Sequence, residues 1–161
     1  DILLDAEGIL NEWSENPVSE NALVKLYGEV KTLKLLNYVA YPIMTFTPIE
    51  TIHSEEALQE RTYLLNTKLL GLIPLGIHTM RFSFHRGDNY LAMRDNGFNH
   101  VCRKWDHRMT FEASSKGTIY RDSADIQAGI LTPLVWLFAQ GFYRSRQQRW
   151  KKLAQQKFQY N

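Results

Sequence analysis

The chain is short of cysteine, of long apolar runs and of charge of one sign, and each shortage removes a class of protein. A single cysteine, Cys102, rules out an internal disulfide and cannot furnish the ligand set of a structural zinc site. No uninterrupted apolar run approaches the roughly 18 residues that a membrane-spanning helix needs. The first residues lack the basic-then-apolar order of a signal peptide, so a soluble, cytoplasmic protein is the default expectation. Nineteen Lys and Arg against 17 Asp and Glu leave a net charge of +2, with no broad field to attract a polyanion, and nucleic acid is not an expected partner. There is no internal repeat and no low-complexity tract.

What remains is ample for a core. The 161 residues are 44% apolar, 12% aromatic and 22% charged, the balance of a folded chain with room for one domain, taken as residues 1–161. From Asp5 to about Tyr38, apolar residues recur at intervals of three and four (Ile9, Leu10 and Trp13, then Ala22, Leu23, Leu26, Tyr27 and Val30), which predicts two helices. Asn16, Pro17 and Ser19 separate them, with Ser19 as an N-cap for the second, whose end falls between Val30 and Tyr38. From Pro42 to Ile126 the period shifts toward two, predicting an antiparallel meander of strands at 43–49, 61–70, 77–84, 89–95, 100–111 and 118–126. The intervening Arg86-Gly87-Asp88-Asn89, Asp95-Asn96-Gly97 and Ser114-Ser115-Lys116-Gly117 have turn chemistry. Thr132-Pro133 then opens a long helix to about Lys157. Its first half is apolar nearly all round, which implies burial on most sides, and its second half is basic.

A helix pair, an antiparallel run and one long C-terminal helix suit a curved sheet wrapped around that last helix. Several stretches carry a more specific likeness: Leu69-Leu70-Gly71-Leu72-Ile73-Pro74-Leu75-Gly76-Ile77-His78, Trp105-Asp106-His107, Gly117-Thr118-Ile119-Tyr120-Arg121-Asp122, and Ala128-Gly129-Ile130-Leu131-Thr132-Pro133 leading into Phe142-Tyr143-Arg144-Ser145-Arg146-Gln147. Over roughly residues 35–153 the chain resembles an uncharacterised bacterial branch of the START-like (SRPBCC) superfamily, which includes polyketide cyclases, the birch pollen allergen group and START lipid carriers. The resemblance implies an α+β helix-grip fold with an apolar cavity between sheet and C-terminal helix. It also implies a strand ahead of the helix pair, for which only Asp1-Ile2-Leu3-Leu4 could serve.

Side chains alternate across a strand, so the apolar member of each alternation marks the inward face. On that reading His78 lies with Met80, Phe82 and Phe84; His107 with Trp105, Met109 and Phe111; and Asp122 with Thr118, Tyr120, Ala124 and Ile126. Three polar groups therefore point into an apolar interior, where a His beside a carboxylate is the least costly remedy. His107 and Asp122, brought together by the turn at Ser114 to Gly117, fit a satisfied pair that sets sheet register, a ligand-orienting pair, or an acid/base pair. Two His and a carboxylate match a non-haem iron site in kind, but no short ligand spacing supports it, so no metal and no cofactor is expected. Cys102 reads as a small buried hydrophobe, and the basic run from Arg144 to Lys152 as a solvated helix face.

These readings converge on a binding module for a small hydrophobic, aromatic or lipid-like molecule. The expected interior of Tyr63, Leu65, Met80, Phe82, Trp105, Met109, Tyr120, Leu134 and Phe138 offers dispersion, stacking and a few hydrogen bonds but no positive charge. His78, His107 and Asp122 add the polar contacts. Two alternatives stay open: a cyclase or aromatase-type enzyme using His107 and Asp122 as acid and base, and a filled-core interaction protein. The latter would touch a membrane surface peripherally through the apolar loop Leu72-Ile73-Pro74-Leu75 and the basic helix end.

Overall fold

The computed structural model describes residues 2–10, 28, 30–53, 56–114, 117–156 and 158–160. Within these, seven strands form one antiparallel sheet: β1 (Ile2–Leu10), β2 (Met44–Pro48), β3 (Thr62–Leu69), β4 (Ile73–Arg86), β5 (Tyr90–Gly97), β6 (Lys104–Ser114) and β7 (Gly117–Gln127). Their order across the sheet is β1-β7-β6-β5-β4-β3-β2, a meander whose last strand closes against the first. A short helix, α1 (Leu33–Ala40), precedes β2, and a long helix, α2 (Thr132–Gln155), follows β7. The result is a curved sheet wrapped around α2.

The period-two segments all became strands, with β4 and β6 displaced: β4 starts at Ile73, inside the stretch read as an apolar loop, and β6 starts at Lys104 instead of His100. The N-terminal helices are where the local pattern misleads. Residues 2–10 are not the start of a helix but a strand that pairs with β7 along its whole length, from Ile2 opposite Ile126 to Leu10 opposite Thr118. Without it β7 would present an open edge, and completing that ladder outweighs a weak helical period. Most of the second predicted helix, and the Asn16-Pro17-Ser19 boundary, lie outside the described residues. Gly28 and Val30 are helical, but the helix does not run on. Thr32 adopts an extended backbone and its side chain accepts the Leu35 N–H at 3.2 Å, capping a fresh helix.

Side-chain hydrogen bonds fix α1 between the sheet edge and α2. The Asn37 amide donates to the Phe46 carbonyl at 2.9 Å and accepts the Phe46 N–H at 2.8 Å, satisfying backbone on the edge strand β2. Arg149 of α2 donates through Nε to the Tyr38 carbonyl at 2.5 Å and stacks its guanidinium over the Tyr38 ring.

The face of α2 that meets the sheet follows the three-and-four period: Ala139, Phe142, Tyr143, Arg146, Trp150, Leu153 and Ala154 are buried. Trp150 is fully enclosed, its ring 5.5 Å from Phe111 on β6 and 5.4 Å from Tyr120 on β7. The apolar first half of the helix is not buried on most sides as its composition suggested. Leu134 is 66% and Leu137 65% exposed, and Trp136 is half-buried, because the first turns of α2 meet the sheet on one stripe only. Replacing Trp150 by Ala is expected to destabilise the fold by about 3–5 kcal/mol, and Trp136→Ala by under about 2 kcal/mol. Urea unfolding of the two variants checks this, and equal losses would contradict the one-sided burial of α2.

Candidate functional site

Between the sheet and the first half of α2 lies a cavity of about 260 Å³. That is near the lower limit of small-molecule pockets, roughly 300–1,000 Å³. Of the residues singled out from sequence, His78, Met80 and Phe82 line it from β4, Trp105 and His107 from β6, and Leu134 and Phe138 from α2. Met109, Tyr120 and Asp122 do not: they sit further along β6 and β7, where Trp150 and Arg146 fill the space. Tyr63 and Leu65 are buried but also off the cavity wall. Of the lining residues, Leu69 and Leu75 are half-buried and Val101 and Leu134 exposed, and exposed Leu72, Ile73, Ile130 and Leu131 neighbour them in the chain.

His107 and Asp122 are joined as a diagonal pair. In the β6/β7 register His107 stands opposite Ala124 and Met109 opposite Asp122, so the two side chains share a face one step apart. His107 donates through Nε2 to Asp122 Oδ1 at 2.7 Å, and the Tyr120 hydroxyl donates to Asp122 Oδ2. The face of the His107 ring toward α2 meets the Tyr143 ring at 4.9 Å, and Trp105 Nε1 donates to the Tyr143 hydroxyl at 3.1 Å. Burial lowers the His107 pKa and the Asp122 hydrogen bond opposes it. Burial likewise raises the pKa of Tyr120 and Tyr143, so both phenols stay protonated.

Among the cavity residues that the sequence reading did not place there, two carry ionisable groups that change its chemistry, Asp95 and Arg146. Asp95 closes the alternation Leu91, Met93, Asp95 on β5 and is 4% exposed, its Oδ1 accepting the Arg81 N–H at 3.0 Å. Burial pushes its pKa up to about 8, which makes it a neutral hydroxyl donor at neutral pH. The other is Arg146, 4% exposed and on the cavity wall. The basic run is therefore not one solvated face, and the interior is not without positive charge. Arg146 lies four residues from Phe142 and Trp150, on the buried stripe, while Arg144 and Lys151 fall outside it. Burial works against its charge, but the oxygens of Tyr120 and Asp122 outweigh this and hold the guanidinium above its ordinary pKa.

The remaining polar groups at the cavity are uncharged. Burial takes the His78 pKa down to about 4, and its Nδ1 lies 3.3 Å from Asn99 Nδ2. Gly97 permits this arrangement, since a Cβ there would stand 2.7 Å from His78 Nε2 and 2.9 Å from the Thr79 carbonyl. The Cys102 thiol donates to the Lys104 carbonyl at 2.9 Å, and burial raises its pKa. Among the described residues no three His, Cys, Asp or Glu side chains group as metal ligands, and no helix is long and apolar enough to cross a membrane.

Asp95 and His78 give stability opposite pH trends. The folded protein holds the Asp95 proton up to about pH 8 where the unfolded chain releases it near 3.8, so this contribution is complete in acid and lost as pH rises through about 8. The folded protein keeps His78 neutral down to about 4 where the unfolded chain protonates near 6.5, so that contribution is lost as pH falls. Asp95→Asn keeps an acceptor for the Arg81 N–H and removes the alkaline loss. Relative to the parent it is expected to gain about 1 kcal/mol or more between pH 5 and 9, read by urea unfolding at each pH. A difference constant with pH would contradict a protonated Asp95.

No protein-family model matches the sequence, and no curated protein does. Solved structures do. A protein of Chromobacterium violaceum aligns over 95% of this chain and 96% of its own at a TM-score of 0.62 and 10% identity. A START superfamily protein from Mycobacterium smegmatis aligns over 96% and 97% at a TM-score of 0.53 and 9% identity. The di-domain aromatase/cyclase StfQ of the steffimycin biosynthetic pathway matches 96% of this chain with 50% of its own, at a TM-score of 0.54 and 9% identity. Sheet order, the long C-terminal helix and these alignments agree: the chain has the START-like helix-grip fold.

Proposed function

We propose that the chain binds a small, mostly apolar molecule in the cavity between sheet and α2. The cavity itself carries this reading. About 260 Å³ of space, walled by Met80, Phe82, Met93, Phe138 and Phe142 and met by only a few polar groups, is the make-up of a ligand site and not of a filled core. The apolar wall residues Leu75, Val101 and Leu134, which reach solvent, suit entry of such a molecule, and the neighbouring folds include a START superfamily protein and an aromatase/cyclase. Nucleotides and phosphorylated metabolites fit poorly, because one guanidinium cannot balance a phosphate dianion in an otherwise apolar cavity.

His107 favours a second reading, acid/base chemistry, because it lines the cavity with Asp122 hydrogen-bonded behind it. The two readings separate on one variant. His107→Asn in a carrier should hold ligand affinity within about threefold, whereas in an enzyme turnover should fall far more than affinity.

Trp105 on the wall reports occupancy directly. Titration with fatty acids, flavonoids and sterols is expected to give saturable quenching for at least one class, and titration with ATP none. Met80→Trp, which fills the space, should weaken the binding tenfold or more. Quenching by ATP alone, or by nothing, would overturn the proposal.

A further inference from the structure

The Arg146 guanidinium is buried with one of its donors unpartnered. A guanidinium carries five N–H donors and no acceptor. Its Nε–H has no hydrogen-bond partner among the described residues, and the nearest carboxylate oxygen, Asp122 Oδ2, is 3.9 Å away. One terminal nitrogen donates to Met109 Sδ, a weak acceptor. Asp122, whose Oδ1 also accepts from His107 and Oδ2 from Tyr120, balances the charge from too far away for a hydrogen bond to Nε. The Tyr120 hydroxyl oxygen on β7 is a further partner of the guanidinium, so the sheet satisfies it only in part, and a buried charged donor short of acceptors costs several kcal/mol. Arg146 is also part of the cavity wall, the side from which a bound molecule would add an acceptor.

We propose that Arg146 is the anchor for a carboxylate on the bound molecule, so that the ligand is an apolar body with a monoanionic acid group. This rests on the cavity being a ligand site, and it names the class of molecule that site takes. A carboxylate presents two acceptor oxygens in the spacing of the guanidinium fork. Asp95, on the same cavity wall, presents a second donor for an acceptor-rich group while its own carboxyl is protonated. A primary amine meets a like charge instead. Enclosure by Met80, Phe82 and Phe142 removes water from the pair and strengthens it.

Matched head groups on one chain test the assignment: decanoic acid, methyl decanoate, decan-1-ol and decylamine, titrated by calorimetry and Trp fluorescence at pH 7.5. The acid is expected to bind at least tenfold more tightly than the ester and alcohol, and the amine most weakly. Arg146→Gln and Arg146→Met should abolish the preference for the acid while leaving the affinity for decan-1-ol within about threefold, and Arg146→Lys should restore part of it. In the parent protein the 15N–1H signal of Arg146 Nε should shift on adding the acid and not on adding the alcohol. Acid and alcohol of equal affinity would overturn the carboxylate assignment and leave the cavity proposal standing. Binding of none of the four, together with no response to larger apolar compounds, would overturn both. Should the Arg146 variants fail to fold, the head-group series and the Nε signal in the parent protein still decide.

Discussion

The Asp122 carboxylate sits in an apolar layer where it would cost several kcal/mol alone, and the partners that relieve it come from three different elements. His107 is on β6, Tyr120 on β7 and Arg146 on α2. Satisfying Asp122 therefore sets three relationships together: the β6/β7 register, the depth of β7 beneath the helix, and the rotation of α2 about its axis. Apolar packing is less demanding. A two-residue slip of β6 against β7 would keep every inward side chain inward, but it would take His107 away from Asp122 and strand a charge. In this part of the sheet the polar cluster, more than the surrounding hydrophobes, singles out one register.

That cluster also divides the interior. On one side of it Trp150 closes over Phe111 and Tyr120, and the layer between helix and sheet is filled by rings in contact. On the other side Phe138 and Phe142 stack on each other along the helix, and the strand residues facing them, Met80, Phe82 and Met93, stand back across the cavity. The same helix is thus packed at its C-terminal half and undercut at its N-terminal half. Its exposure follows suit, with Trp150 enclosed and Leu134 open to solvent.

Much of this was legible from local pattern. The strands β2 to β7 and the helix α2 announce themselves by period, and inward positions such as Met80, Trp105, His107 and Tyr120 follow from alternation alone, since a strand side chain has only two faces to choose between. Asp95 was available from the same rule, as the next inward position after Leu91 and Met93. Strand β1 was not, because it exists through its pairing with β7, more than a hundred residues away in the chain, and its own sequence has no clear period of two. The depth of the cavity was also hidden. Alternation places Met109 and Tyr120 on the same face as His107 but does not say that Trp150 and Arg146 come down upon them and exclude them from the open space.

Arg146 shows why composition misreads a helix. Within a run of basic residues it resembles its neighbours, yet counting by three and four from Phe142 and Tyr143 to Trp150 and Leu153 puts it at the centre of the buried stripe. If Arg146 anchors an acid group as proposed, its position bears on how that molecule would be held. Twelve residues of helix, about 18 Å of rise, separate exposed Leu134 from buried Arg146 along the cavity wall. An amphipathic molecule would have to carry its polar end past Leu75, Val101 and Leu134 before meeting a partner that compensates for the water it has lost.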